Sequence, residues 1–450
     1  MINHRFDGVQ PLSFSRLLTV AYFIFCQFHR VTKSEKQVVV IGGGLIGFSV
    51  AYHLLLEGMR VILIERNDEN SGSCSTGNAG MVVPSHFVPL AAPGVIWQGL
   101  RWMFDPESPF SIRPRPSWEL ITWGLRFYRA SSPARVNRAM PLLRDMALRS
   151  RAIFAELADR QGFAFGLQKK GLLLLCKTSR ALEHEAGLAV SAHSLGLEAE
   201  VLDAEGVRGK DPGVEIDVKG GVYFAQDCHL DPARFLGDLR KEVVRMGGTV
   251  LWGSESTGFR QAGSNVRAVV LKNGKEISGD EFVICGGAWS PGVGKTLGLR
   301  LPMQAGKGYS VTHPDPPALP GICSLLNEAR VAVTPMNGKL RVGGTMEIVG
   351  LDESVNRRRL GGILKSVGEY YPQLSAADFE GLEVWKGLRP CSPDGMPFIG
   401  RTKHRENVVV ATGHSMLGLS LAPVTGEMVA GIIRGDAPKF DMSLLDPDRY

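Results

Sequence analysis

Gly42, Gly44 and Gly47 stand at the spacing G-x-G-x-x-G in "VVVIGGGLIGFSVAYHLLL". At that spacing the first glycine permits a tight turn, the second lets backbone approach a pyrophosphate, and the third allows close helix–strand packing. Leu45 and Ile46 then open a helix whose free N–H groups and partial positive charge suit phosphate oxygens. Glu65 closes the next apolar run, "VILIE", 18 residues after Gly47, and Arg66 follows it. A carboxylate there can bind ribose hydroxyls and repels a 2′-phosphate, so the pattern describes a dinucleotide site that disfavours NADP.

Three further stretches carry small residues at the ends of apolar runs. "SGSCSTGNAGMVVP" (71–84) offers Ser75, Asn78, Ala79 and Gly80, whose backbone can reach phosphates or a planar ring. "EFVICGGAWS" runs a buried strand into Gly287, Ala288 and Trp289. "NVVVATGHSMLGLS" runs another into Gly413, His414, Met416, Leu417 and Gly418, read as a strand entering a helix from about residue 415. A helix start of that kind stabilises the anionic N1–C2=O edge of a reduced flavin, so the four stretches in this order favour FAD over NAD. A fifth stretch, "WKGLRPCSPDGMPFIG" (385–400), holds Arg389 among prolines that exclude a helix or a central strand. Alone it reads as a buried turn whose arginine pairs with a nearby acid such as Asp394 or Glu347.

These pieces need positioning elements. A β-α-β unit starts at Val38, helical patches fill much of 86–220, and strand-like segments dominate 249–348. A helix lies near 353–371. Cofactor-type elements occur at the start, middle and end of the chain. The expectation is therefore an α/β protein: a discontinuous Rossmann-like FAD-binding domain (37–85, 205–300 and 384–440) with an inserted α+β substrate domain built on an antiparallel sheet (86–204 and 301–383). Residues 1–36, with the apolar stretch "RLLTVAYFIFCQFHR", are expected outside the fold; that stretch is short of the roughly 20 residues a spanning helix needs.

Composition is that of a folded protein of 450 residues, 44% hydrophobic and 21% charged. Of the net charge of +6, residues 1–37 carry +3, and no basic cluster is interleaved with aromatics, which argues against nucleic-acid binding. The seven cysteines are scattered without a CxxC pair or a His/Cys spacing fit for zinc, so no metal site and a reducing compartment are expected.

Taken together, "STGNAG", "AAPGVIWQGLRWMF", "KGYSVT", "RVGGTMEIVG", "GLRPCSPDGMPFIG" and "TGHSMLG" resemble the FAD-dependent oxidoreductases of the D-amino-acid oxidase type over about residues 37–440. Within that family the likeness is to the bacterial D-amino-acid dehydrogenases of small-subunit type. The resemblance implies oxidation of a D-amino acid to an imine by hydride transfer from Cα to flavin N5, then hydrolysis to a 2-oxo acid and ammonia. It implies Arg389 as the substrate-carboxylate anchor, Tyr309 as a second substrate contact, and His414 acting through its backbone at the flavin. Related enzymes attach flavin through a cysteine, but the matching position here is Gly387, which implies dissociable FAD.

His86 and "GGAWS" depart from the dehydrogenase pattern. They leave open the same chemistry on a cyclic imino acid such as cis-4-hydroxy-D-proline, or on sarcosine or glycine. A non-catalytic flavin-binding subunit is the alternative of another class. A quinone-type electron acceptor would place the protein in the cytoplasm at the inner membrane face, with peripheral association; the oligomeric state is not legible.

Overall fold

A computed structural model describes residues 36–103, 105 and 107–450. The N-terminal stretch expected outside the fold lies outside the described residues. Strand β1 (Gln37–Ile41) is β-branched and buried, as a central parallel strand requires. It ends at Gly42, whose N–H donates to the Ile64 carbonyl of β2 (Arg60–Ile64) at 2.8 Å. Between them runs helix α1 (Leu45–Leu56), apolar on nearly every side because it is packed on nearly every side. Gly58, at φ 78°, turns the chain into β2.

A six-stranded sheet is built on this unit. Its order is 398–401, 408–412, 281–284, β1, β2 and 249–251, all parallel except the first strand. The second sheet has nine strands and is mostly antiparallel. Its edge nearest the site runs β5 (Val384–Cys391), β3 (Gln304–His313), β4 (Lys339–Ile348) and then Val331–Met336. Pro390 is tolerated because β5 is an edge strand. Gly220–Phe224 and β5, from segments that the sequence grouped with the cofactor-binding elements, pair in this second sheet.

The C-terminal helix corrects one expectation. Strand 408–412 does not lead directly into a helix near 415; α2 (Ala422–Arg434) begins seven residues later, with Pro423 in its first turn. Gly413 and Ser415, at φ 78° and 50°, turn residues 413–421 into a folded loop instead. α2 then packs closely on α1: a side chain at Gly426 would meet the Ser49 carbonyl at 2.4 Å.

Candidate cofactor and substrate site

The two sheets enclose a cavity of about 1720 Å³ at the C-terminal ends of the parallel strands. Ordinary ligand pockets are roughly 300–1,000 Å³, so there is room for a dinucleotide and a second molecule. The position is where ligands bind in open parallel sheets.

The glycine turn separates into obligate and permissive positions. A side chain on Gly42 would strike the Cys285 carbonyl at 2.5 Å, and one on Gly47 would meet the Gly42 carbonyl at 1.8 Å. Gly44 has only Ser75 Oγ nearby, at 3.5 Å, so its face is open to the cavity. Gly43 N–H donates to Glu65 Oε2 at 2.6 Å, and Asn67 N–H donates to Oε1 at 2.9 Å. The carboxylate is thus fixed at the end of β2 beside the helix start, where Leu45 N–H donates to Ser75 Oγ at 3.1 Å. The Arg66 guanidinium stacks 3.8 Å over the Trp289 ring, and both line the cavity. Gly287, at φ 54°, presents open space, while Ala288 packs with Ala305 and Leu388 of the other sheet. These residues fit a dinucleotide cofactor.

The 71–84 loop lies between the sheets and is held from the second one. Ser310 Oγ donates to the Gly77 carbonyl at 2.7 Å, and Arg341 Nη1 donates to the carbonyls of Thr76 and Asn78 at 3.0 and 2.9 Å. Asn78 Oδ1 accepts from Gly80 N–H at 2.8 Å. Of the residues singled out for the cofactor, Ile46, Ser75, Asn78, Ala79, His414, Met416, Leu417 and Gly418 also line the cavity. Gly47, Gly80 and Gly413 stand behind its wall, at a tight turn or a close backbone approach. His414 is buried; its Nε2 bonds Thr425 Oγ1 at 3.0 Å and burial pushes its pKa down to about 3, so it is neutral.

Arg389 lies on β5 at the cavity wall. Its Nη1 donates to the Thr345 carbonyl at 2.8 Å. Neither acid offered as a structural partner reaches it. Asp394 is paired with Arg449 at 2.8 and 3.0 Å. Glu347 accepts from Tyr309 at 2.5 Å and lies 3.7 Å from Arg359. The ionisable groups nearest Arg389 are thiols, Cys74 pushed up to about 11 and Cys391 to about 12 by burial, and both are uncharged at neutral pH. Burial itself presses the arginine's pKa downward. Among the described residues this half-buried cation pairs with no carboxylate, which leaves its fork open to an anion in the cavity.

Tyr309 also lines the cavity, from the second sheet. Its ring belongs to the apolar cluster that includes Val311, Val342 and Ile363. Its hydroxyl donates to Glu347 and accepts from Asn356 N–H at 3.0 Å. Sequence reasoning missed Arg330 and Thr345, which line the cavity at φ 55° and 69°. His86, a departure from the pattern in the sequence, lines the cavity as well. His86 Nδ1 lies 3.1 Å from Ser85 Oγ, which donates to the fully buried Asp227 at 2.5 Å.

The chain matches the model of the family described as FAD dependent oxidoreductase (DAO) over residues 37–432. It is 32% identical to a D-amino acid dehydrogenase of Granulibacter bethesdensis, over 92% of this chain and 99% of that one. It is equally 32% identical to the D-amino acid dehydrogenase of Rhizorhabdus wittichii, over 92% and 100%. Among solved structures, glycine oxidase from Geobacillus kaustophilus superposes with a TM-score of 0.72 at 23% identity, covering 92% of this chain and 99% of that one. L-proline dehydrogenase from P. horikoshii gives 0.69 at 19%, covering 92% and 97%. At those identities the two structures speak to fold alone.

Proposed function

Because this chain belongs to the DAO family of FAD-dependent oxidoreductases, we propose that it oxidises D-amino acids to imines, which hydrolyse to 2-oxo acids and ammonia. FAD, when bound, supplies the two-electron acceptor. Gly44, Leu45, Glu65, Ser75 and Gly287 would hold it. The observation that carries the reading is Arg389, a half-buried guanidinium without a carboxylate on the wall of the dinucleotide cavity. Its planar fork binds a substrate carboxylate at two points and fixes which Cα–H faces the cofactor. Thr345 holds the fork from below, and Tyr309 with Glu347 supports the sheet behind it. Catalysis here is chiefly orientation.

The division of labour we propose follows the sheets: the six-stranded sheet and its helices bind cofactor, and the nine-stranded sheet presents substrate. FAD is held without a covalent bond, since Gly387 occupies the position of the attaching cysteine. Yellow colour retained by washed, acid-precipitated protein would contradict this.

The electron acceptor in this proposal is a quinone at the inner face of the cytoplasmic membrane. Among the described residues no helix is long and apolar enough to cross a membrane. Support comes from the helix Trp118–Ala130, which has two apolar faces. Leu120, Trp123 and Phe127 pack inward, while Trp118, Ile121, Leu125 and Tyr128 form a second stripe on the opposite side, all exposed. A helix apolar on both sides at a surface fits a membrane interface. Exposed Arg129 and Arg135, on this helix and just after it, suit anionic lipid.

Anaerobic bleaching of the bound flavin tests the chemistry. D-amino acids should bleach it, L-amino acids should not, and readmitted air should restore colour slowly. Bleaching by sarcosine, glycine or a cyclic imino acid alone would select the second reading, which His86 favours. No bleaching by any amine would leave a flavin-binding subunit.

A further inference from the structure

Two glycines of β3 meet different neighbours on the same face of the strand. A side chain at Gly308 would collide with the Arg389 guanidinium, while one at Gly306 would meet Met346 Sδ at 2.2 Å and Cys391 Sγ at 2.9 Å. Positions two apart on a strand face one way and stand about 7 Å from each other. The thioether of Met346, which lines the cavity from β4, is therefore the next side chain along the sheet from the carboxylate anchor. In the other direction this face is closed. Ser310 spends its hydroxyl on the Gly77 carbonyl, and the Trp385 ring lies where side chains at Gly77 and Gly387 would stand, 2.1 Å from either Cβ position. Along the sheet, the space beside Arg389 opens toward Met346.

Beyond Met346 the cavity has an uncharged arm. Leu90, Phe110, Trp123 and Phe127 line it and pack with Met346 in one apolar cluster. Trp123 is fixed at its polar end, where Nε1 donates to the Cys391 carbonyl at 3.0 Å, and its ring stacks on Phe127 with centroids 5.1 Å apart. The pair forms a rigid aromatic wall, and the flexible thioether of Met346 supplies an adaptable one. The helix Val95–Trp102 closes the far side, held near by Gly99, where a Cβ would lie 3.0 Å from Phe110 Cε1. Among the described residues, none that line the cavity between positions 87 and 140 is charged, although the chain is 21% charged. The charges of these two helices point elsewhere: Arg101 and Glu119 are exposed, and Arg126 lies over the Tyr450 ring.

An apolar arm one side chain away from a carboxylate anchor discriminates among substituents. A charged group entering it would lose water and find no counter-charge. A hydrogen or a methyl group would leave most of it unfilled. A long apolar group exchanges water for the surfaces of Met346, Trp123 and Phe127. We propose that the arm receives the substrate side chain while Arg389 holds the α-carboxylate, so that the protein selects D-amino acids with long apolar side chains, whether thioether, branched aliphatic or aromatic. This rests on the reading of Arg389 given above and adds to it the class of substrate. Glycine and sarcosine, which have no side chain, rank below that class.

Turnover and binding by the FAD-loaded protein test it. With a soluble dye, D-methionine should exceed D-alanine in kcat/KM by at least about tenfold, because added methylenes in an apolar pocket are worth that much. D-glutamate and D-lysine, of similar reach but charged, should fall below D-alanine. Met346→Glu should raise the D-lysine to D-methionine ratio at least about tenfold, a gain that damage to the fold would not produce, and Met346→Leu should keep the parent ratio. Binding gives a reading without turnover: perturbation of the flavin spectrum should show 3-phenylpropionate held at least about tenfold more tightly than propionate. Equal binding of the two acids would overturn the proposal, as would turnover of D-glutamate and D-lysine to match D-methionine. So would a folded, FAD-loaded Met346→Glu variant with an unchanged ratio. Failure of the Arg389 reading looks different, because both acids would then bind Arg389→Ala as tightly as the parent.

Discussion

The guanidinium of Arg389 occupies the space that a side chain at Gly308 would need: a Cβ there would lie 2.2 Å from Nη1 and 2.3 Å from Nη2. The glycine of "KGYS" on β3 thus makes room for the arginine of "GLRP" on β5. Gly308→Ala should displace the arginine and raise KM for amino acids by about 10–100-fold, with the FAD spectrum kept. Arg389→Ala should cost more, about 2–4 kcal/mol of transition-state binding, and Arg389→Lys should recover only part. Steady-state kinetics on all three, beside cofactor content, checks this. Normal turnover in both Arg389 variants would return the arginine to a structural role.

The glycine turn predicts a split between two alanine substitutions. Gly47→Ala puts a methyl 1.8 Å from the Gly42 carbonyl and should yield unfolded or insoluble protein. Gly44→Ala meets nothing closer than 3.5 Å in the protein and should fold normally, yet bind FAD at least tenfold more weakly because the methyl enters the cavity. Thermal melts and FAD titration of the apoprotein separate the two. Equal affinity in Gly44→Ala would place the pyrophosphate elsewhere.

Asp227 sets a pH dependence. Burial raises its pKa from 3.8 to about 7, with the bonds from Ser85 opposing the shift. Between those values the folded protein keeps a proton that the unfolded chain has lost. Its contribution to stability is therefore present at low pH and is lost as pH rises through 7. Asp227→Asn mimics the protonated form and should raise Tm at pH 8 by at least about 2 °C relative to the parent, with a clearly smaller rise at pH 5 and none near pH 3. An equal change at both pH values would mean that Asp227 does not titrate in this window.

The exposed stripe on 118–130 predicts a binding phenotype separable from chemistry. Trp118→Ser with Leu125→Ser should abolish cosedimentation with phosphatidylglycerol vesicles and leave dye-linked turnover intact, since neither residue lines the cavity. Phosphatidylcholine vesicles should bind more weakly than anionic ones, and added salt should reduce the difference. Undiminished binding in the double variant would remove this stripe from the interface.

Much of the cofactor side was legible because it is written locally. Gly42, Gly44, Gly47 and Glu65 sit within one β-α-β unit, where spacing fixes geometry. Arg389 was found through its stretch, but its lack of an acidic partner depends on where Asp394 and Glu347 point, which no local pattern states. Tyr309 lines the cavity too, but the engagement of its hydroxyl by Glu347 of β4 is a pairing across strands that its own stretch does not state. The helix placed near 415 failed because Gly413 and Ser415 take left-handed turns that an apolar run conceals. Arg330 and Thr345 were invisible as a pair, being brought together only by the register of two strands.

The turn at Gly42 closes on the carbonyl of Cys285, and the strand bearing Cys285 is completed on its far side by residues 408–412. A nascent chain therefore displays its glycine signature early but cannot form the cradle until almost all of it has left the ribosome, tens of seconds later. FAD loading must be a late event in biogenesis. A truncation before residue 408 would accordingly act as a cofactor-binding mutation, although it removes no residue of the glycine motif.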